Sequence, residues 1–389
     1  MTLLFQLFLL ILTAYLAVQV AYLLFFSLAG HLKRPQVFTK ADDQRKIKVF
    51  IPGYKEDKVI LETARVALAQ DYPKDKYEVI VIADQFSNET LQELRQMPLT
   101  VVEVFFEKST KGKALHYALE KTRNDEADIA LILDADNHMT EGFLHAINDA
   151  FSAGYRVVQA HRVAKHPKSA FALLDACTEE INNHIFRRGH VAIGLPSALI
   201  GSGMAFEMTL FEEIMENIGE TAGEDKELEI RIVRQQIPVA FLDKSLVLDE
   251  KVANTAVFAK QRSRWLATQV EFLEKYFAES WTQLFRGNVA FFNKIFQTYL
   301  LPRVLLVVLS IITLFLSAFS KEGLFQINLL LFILLALSLF MGIPKAYYNR
   351  QLLTAFLQIP GAILGIFKSM AGIKVARKKF IHTPHGETL

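Results

Sequence analysis

The run Ile129, Ala130, Leu131, Ile132, Leu133, followed by Asp134-Ala135-Asp136, does most to constrain the fold. Five apolar residues without alternation read as a strand buried on both faces, the signature of a parallel sheet covered by helices. Side chains alternate along a strand, so two carboxylates at i and i+2 leave it on the same side. They also sit at its carboxyl end, where open α/β sheets place their ligands. Two such carboxylates repel unless a cation lies with them, and Mg²⁺ or Mn²⁺ carrying a diphosphate fits. An acidic turn capping the next helix is the plainer alternative.

Strand-like and helix-like stretches alternate around this run. Residues 48–51, 77–83, 100–106, 129–133 and 157–160 read as strands, with helices through residue 70 and over 114–122. The alternation predicts an α/β chain with a doubly wound, mostly parallel sheet, and several polar clusters fall at its carboxyl edge. Familiar alternatives fail on their motifs. No G-x-G-x-x-G follows the first strand, Thr110-Lys111-Gly112-Lys113 lacks the remaining residues of a P-loop, and H-E-x-x-H is absent. A formal net charge of +2 gives no reason to expect nucleic acid as a partner. The single cysteine, Cys177, excludes an internal disulfide framework and suits a cytoplasmic catalytic part.

Both ends are apolar. Residues 2–30 carry no charge, roughly 44 Å of helix against a hydrocarbon core of about 30 Å. A cleaved signal peptide would show a basic start and a shorter apolar core, so residues 1–32 read as an uncleaved transmembrane anchor. Lys33 and Arg34 follow, which places the rest of the chain in the cytoplasm, at the inner membrane of a cell. A soluble domain over 45–275 then precedes a membrane region, 276–389. Within it a transmembrane hairpin is expected over 304–343, its helices 304–319 and 324–343, with Arg303 at the cytoplasmic face. The stretch 352–367 is short, about 24 Å as helix, and contains Pro360. If it crossed, Lys374, Arg377, Lys378 and Lys379 would lie outside. It is therefore expected to lie in the interface over 352–373, giving three spans in all.

Seven motifs occur in order over residues 47–270: Pro52-Gly53-Tyr54-Lys55-Glu56, Asp84, Lys111-Gly112-Lys113-Ala114, Asp134-Ala135-Asp136, Gly201-Ser202-Gly203, Gly223-Glu224-Asp225 and Gln261-Arg262-Ser263-Arg264-Trp265. Each is weak alone. As an ordered set they resemble the membrane-bound family 2 glycosyltransferases, the group of the cellulose, chitin and hyaluronan synthases. The resemblance implies a GT-A fold, a Rossmann-like mostly parallel sheet flanked by transmembrane helices. It also implies that Pro52, Tyr54 and Glu56 cradle the donor nucleotide, with Gly53 a minor departure from alanine. Asp84 would contact the base or ribose, which points to a UDP-linked donor. Lys111 and Lys113 suit the diphosphate, although a solvated basic loop would look the same. Asp136 would be the direct metal ligand, and Asp134 a second ligand or a contact to the nucleotide. His138 reads as an exposed loop histidine.

Asp225, with Glu224, matches the acidic pair that takes the acceptor's proton, with Gly223 in place of threonine. Its acidic neighbours, including Glu227 and Glu229, read on their own as a solvated helix face. Gln261, Arg264 and Trp265, spaced i, i+3, i+4, would share one helix face for the diphosphate and acceptor. Gly201, Ser202 and Gly203 match a loop near the acceptor. The resulting expectation is an inverting, metal-dependent transfer of a hexosyl or N-acetylhexosaminyl group to a hydroxyl on a lipid-linked or growing glycan. Export of a polymer through three spans would call for a homo-oligomer or an export partner, whereas single transfer would not. A nucleotidyltransferase and a non-catalytic nucleotide-binding scaffold are the rival classes.

Overall fold

Alternate residues of the central strands enter two different cores. In a computed structural model of the chain, Val49 and Ile51, Val79 and Val81, and Ile129 and Leu131 enter one core. Their neighbours Phe50, Ile80, Ile82, Ala130 and Ile132 enter the other. The period of two is that of a sheet covered on both faces. The structure describes residues 3–32, 36–123, 126–165, 167, 169–216, 218, 223–250, 255–320 and 323–356, with the side chains of 170, 171 and 255–265 excepted.

In chain order the elements are α1 (Leu3–Leu32), β1 (Ile47–Tyr54), α2 (Ile60–Leu68), β2 (Tyr77–Asp84), α3 (Asn88–Arg95), β3 (Thr100–Val104), α4 (Lys111–Lys121), β4 (Ile129–Ile132), β5 (His138–Met139), α5 (Phe143–Ser152), β6 (Val157–Ala164) and α6 (Ala170–Asn182). A π-helical turn, Asn183–Arg188, leads to α7 (Gly189–Ala192), β7 (Met204–Glu207), α8 (Met208–Met215), α9 (Glu224–Arg234) and β8 (Val239–Asp249). The chain continues through α10 (Thr255–Phe285), α11 (Val289–Phe296), α12 (Arg303–Ser317), α13 (Leu324–Phe340) and α14 (Arg350–Phe356).

The sheet order is β3-β2-β1-β4-β7-β6-β8-β5. The first four strands and the β6–β8 pair run parallel. β7 lies antiparallel between β4 and β6, and β5 antiparallel on β8. The sheet is therefore mixed, with six strands running in one direction, as the mostly parallel expectation has it, and β7 and β5 running against them. β7 is the unexpected strand: after the turn at Gly201 and Gly203, both at positive φ (84° and 63°), the chain returns as a strand where a loop alone is expected. Helices α2, α3 and α5 supply the first core, while α4, α8 and α9 supply the second.

At the apolar ends, α1, α6, α12, α13 and α14 share a separate core through Leu16, Val20, Cys177, Leu306, Leu335 and Leu352. Its interior is seamed with polar contacts. The Asn328 amide donates to Thr13 Oγ1 at 3.0 Å, and Ser27 Oγ donates to the Ser338 carbonyl at 2.9 Å. The outer faces carry exposed Leu7, Ile11, Ile312, Phe315, Leu330 and Ile333. Only α1, at 30 residues, is by itself long and apolar enough to cross a bilayer among the described residues. The stretch expected as a hairpin holds two helices, α12 of 15 residues and α13 of 17. α12 reaches spanning length only with 289–299 across a 63° bend. Arg303, expected at a membrane face, donates to Asn182 Oδ1 at 2.7 Å and ties α12 to α6. α14 forms the start of the expected interfacial helix; the remainder of 352–373 and the basic tail lie outside the described residues.

Candidate active site

β1 and β2 run in register to the pair Tyr54 and Asp84 and then diverge. The residues that follow them, Lys55 and Gln85, both turn into the left-handed region at φ 57° and 58°. Pro52 and Tyr54 thus end a strand, and Glu56 lies buried behind the turn. Gly53 is less neutral than expected. A Cβ there would lie 2.6 Å from Phe86 Cζ, so the missing methyl leaves room for that ring.

Asp84 is 3% exposed, and its Oδ1 has no hydrogen-bond partner among the described residues. A buried acceptor without a donor fits a ligand N–H or hydroxyl arriving at the end of β2. Burial raises the pKa of its carboxyl, offset in part by Ser109 and Lys55. A donor that hydrogen-bonds to the ionised carboxylate must displace that proton, so its affinity should rise with pH through the raised pKa and level off above it. Asp84→Asn should weaken donor binding and flatten this dependence. Donor titrations across the acidic range check both outcomes.

Lys111 opens α4 rather than lying in a loop before it, because Thr110 caps the helix by accepting from the Lys113 N–H at 3.3 Å. Its ammonium contacts Asp134 Oδ1 and donates to the Gly201 carbonyl at 2.6 Å. Burial lowers the Lys111 pKa, but Asp134, then Glu224 and Asp225, outweigh it, and the net shift is upward. Lys113 turns away toward the Lys108 carbonyl, 3.4 Å off. The Asp134 N–H donates to Ser202 Oγ at 3.0 Å. Beyond this loop lies Asp225 in the first turn of α9, and a Cβ on Gly201 would sit 3.8 Å from its Oδ2. A Cβ on Gly112 would lie 3.6 Å from the Glu224 Cβ. A side chain at Gly223 would run into Thr268 of α10, a physical reason for the departure from threonine.

Asp136 is buried, and Asn137 bridges it to Asp249, donating at 2.9 Å and 3.0 Å respectively. His138 is not an exposed loop residue but 7% exposed within β5. Burial and Lys165 lower its pKa. Glu227 and Glu229 are likewise buried rather than solvated, each against a cation: Lys275 at 3.0 Å and Lys294 at 2.6 Å. Sequence reasoning missed Arg162. Its guanidinium, near the end of β6, lies 3.9 Å from Asp134 Oδ2, 3.8 Å from Asp249 and 3.0 Å from Glu179. No local pattern marks it, because its partners come from β4, β8 and α6. Gln261, Arg264 and Trp265 fall on α10, so their spacing gives one helix face. Their side chains lie outside the described residues.

The structure thus brings together Lys111, Asp134, Gly201, Ser202 and Asp225, with Asp84 and Asp136 also at strand ends. The model of the Glycosyltransferase like family 2 matches residues 44–268, more than half of the chain. The chain belongs to this glycosyltransferase family. Similar curated proteins include the probable glycosyltransferase YdaM of Bacillus subtilis, 22% identical over 243 residues (60% of this chain, 57% of that protein). The beta-monoglucosyldiacylglycerol synthase of Synechocystis sp. is 24% identical over 266 residues (66% of this chain, 55% of that protein). The chain thus spans little more than half the length of these relatives. Among solved structures, the mannosyltransferase PcManGT from Pyrobaculum calidifontis, in complex with GDP-Man and Mn²⁺, matches with TM-score 0.57 at 18% identity. That match covers 92% of this chain and 99% of the mannosyltransferase. The likeness of fold therefore extends past the family region into the apolar helices. The chain thus carries a family 2 glycosyltransferase region with a GT-A-like fold.

Proposed function

We propose that this family 2 enzyme is membrane-bound and inverting, and passes a sugar from a nucleoside diphosphate donor to a hydroxyl of a lipid-linked acceptor. The observation that carries the reading is the Asp225 carboxylate facing the Gly201 loop, with Lys111 joining that loop to Asp134. Asp225 takes the proton of the attacking hydroxyl. Lys111, held cationic, receives the charge of the diphosphate at the capped start of α4. Asp84 orients the base or ribose. UDP is the first base to test because of Asp84, and GDP the second, since the mannosyltransferase of like fold was solved with GDP-Man.

A divalent ion fits the residues present. Asp136 and the unpartnered Asn137 Oδ1 lie beside Asp249. Among the described residues no three His, Cys, Asp or Glu side chains form a cage. Mg²⁺ and Mn²⁺ are commonly held by one or two carboxylates together with substrate phosphates. When bound, the ion would offset charge on the leaving diphosphate.

The membrane reading is supported by apolar faces outside and hydrogen-bonded polar side chains inside the bundle of α1, α12 and α13, the arrangement of helices solvated by lipid. Direct packing of these three helices through Leu16, Leu306 and Leu335 favours single transfer over polymer export by one chain. The Synechocystis relative is named for a monoglucosyldiacylglycerol product, which favours a lipid hydroxyl as acceptor.

The test is release of nucleoside diphosphate by the protein in lipid, with Mn²⁺ or Mg²⁺, across UDP- and GDP-sugars and with diacylglycerol or a glycolipid added. One donor should turn over in an acceptor-dependent way. No acceptor-dependent release from any donor would overturn the reading. Asp136→Ala should abolish metal-dependent donor binding, and unchanged Mn²⁺ dependence would remove Asp136 as the ligand.

A further inference from the structure

Four residues after Asp225 on α9, Glu229 points into the protein with its side chain 4% exposed. Its Oε1 accepts from the Leu199 N–H at 3.0 Å and from Lys294 Nζ at 2.6 Å. Lys294, 13% exposed, stands on α11 and also donates to Gln297 Oε1 at 2.8 Å. Leu199 belongs to the segment 198–203, whose polar groups are held by other buried residues. Arg187 donates to the Ala198 carbonyl at 3.2 Å, and Gln159 accepts from the Ile200 N–H at 3.1 Å. Gln159 also donates to the Ser202 carbonyl at 2.9 Å. The next residue before Lys294, Asn293, accepts from the Tyr22 hydroxyl of α1 at 2.9 Å.

We propose that the Glu229–Lys294 pair is a positioning device that fixes the acceptor-side loop and the Asp225 helix to α11, and through α11 to the apolar helices. It rests on the function proposed above. A neutral side chain could accept from the Leu199 N–H. A buried ion pair is a costly alternative whose use is geometric: the two charges must meet, so three elements are held in one arrangement. Two of them, α9 and the loop, carry Asp225 and Gly201, the groups between which an acceptor hydroxyl would be deprotonated. The third, α11, leads across the 63° bend into α12. A lipid-linked acceptor held by the bundle would then meet a base set in register with that bundle. Misplacement of a reacting group by about 1 Å can cost roughly 10²-fold in rate.

The deciding variant is Glu229→Met with Lys294→Met, which removes both charges at similar volume and leaves the Leu199 N–H without its acceptor. Glu229→Gln keeps that acceptor and removes the charge. Wild-type transfer, lost in Asp225→Asn, is the control on the proposed reaction. The double variant should melt within a few degrees of wild type and bind donor equally well. Its kcat should fall roughly 10- to 10²-fold with a raised acceptor KM, and Glu229→Gln should recover part of the loss. Amide exchange over 198–203 should speed up in the double variant, a readout that stands even if no sugar is transferred. Unaltered exchange, or unaltered transfer in a folded double variant, would overturn the proposal. So would a loss that tracks the melting temperature and raises donor and acceptor KM alike, since that marks a role in stability only.

Discussion

Asp225→Asn is expected to lower sugar transfer by about 10²–10⁴-fold while leaving donor affinity unchanged. The expectation follows from where the carboxylate sits. Oδ1 is engaged by the N–H of Lys226 at 2.9 Å, a bond that the asparagine carbonyl can keep. Oδ2 faces the Gly201 loop, and the lack of a side chain at Gly201 leaves space in front of it. The substitution removes the proton acceptor and only the smallest of the charges that hold Lys111 cationic, Asp134 and Glu224 remaining in place. Asp84, Lys111 and Asp136, the groups assigned to the donor, belong to other elements and keep their contacts. Transfer rates at saturating acceptor, set beside donor titrations, separate the two effects. Unchanged transfer would remove Asp225 as the base, and parallel loss of donor binding would assign it to the donor side. Glu224→Gln is the neighbouring comparison: it removes one of the charges that hold Lys111 cationic, so it should act on donor affinity rather than on removal of the acceptor's proton.

Much of the catalytic half was legible because its logic is local. The runs that became β1, β2 and β4 are apolar, short and bounded by polar residues, so their existence and the carboxylates at their ends could be read directly. The i, i+2 spacing of Asp134 and Asp136 is likewise a local fact. What could not be read depends on contacts between distant segments. β7 follows two glycines and inserts between β4 and β6, and nothing in Met204–Glu207 reports its antiparallel neighbours. Glu227 and Glu229 carry the composition of a solvated face, yet Lys275 and Lys294, 48 and 65 positions on respectively, come to meet them. His138 reads as a loop residue because a two-residue strand has no periodicity to detect. In the apolar region, composition marked α1, α12 and α13 correctly as helices. The bend before α12 arises where 297–302 breaks the helix, with Pro302 at its restart.

Arg162 is the residue that sequence could not nominate and whose loss should cost most in stability. Its side chain is 14% exposed and stands among Glu179, Asp249 and Asp134. Burial alone would favour the neutral guanidine, but Glu179, then Asp249 and Asp134, hold it charged. Arg162→Met keeps the apolar stem and deletes the charge, leaving three carboxylates facing one another with one cation fewer. Breaking a buried charge cluster in this way destabilises proteins by about 3–5 kcal/mol. Arg162→Lys should rescue little, because one ammonium cannot span the directions that the planar fork serves. Two further observations would identify the cause as charge rather than shape. In the variant the carboxylates repel and bind protons more readily than when unfolded, so its deficit against wild type should shrink as pH falls and grow as pH rises. Replacing Glu179 as well, in Arg162→Met/Glu179→Met, should return part of the lost stability, since it removes the carboxylate that Arg162 holds most closely, at 3.0 Å. Thermal melts of the four proteins in one detergent, repeated at two pH values, read all of these outcomes. A variant that melts with wild type at both would show that Asp134 and Asp249 tolerate each other without Arg162, leaving Lys111 as the cation that matters beside Asp134.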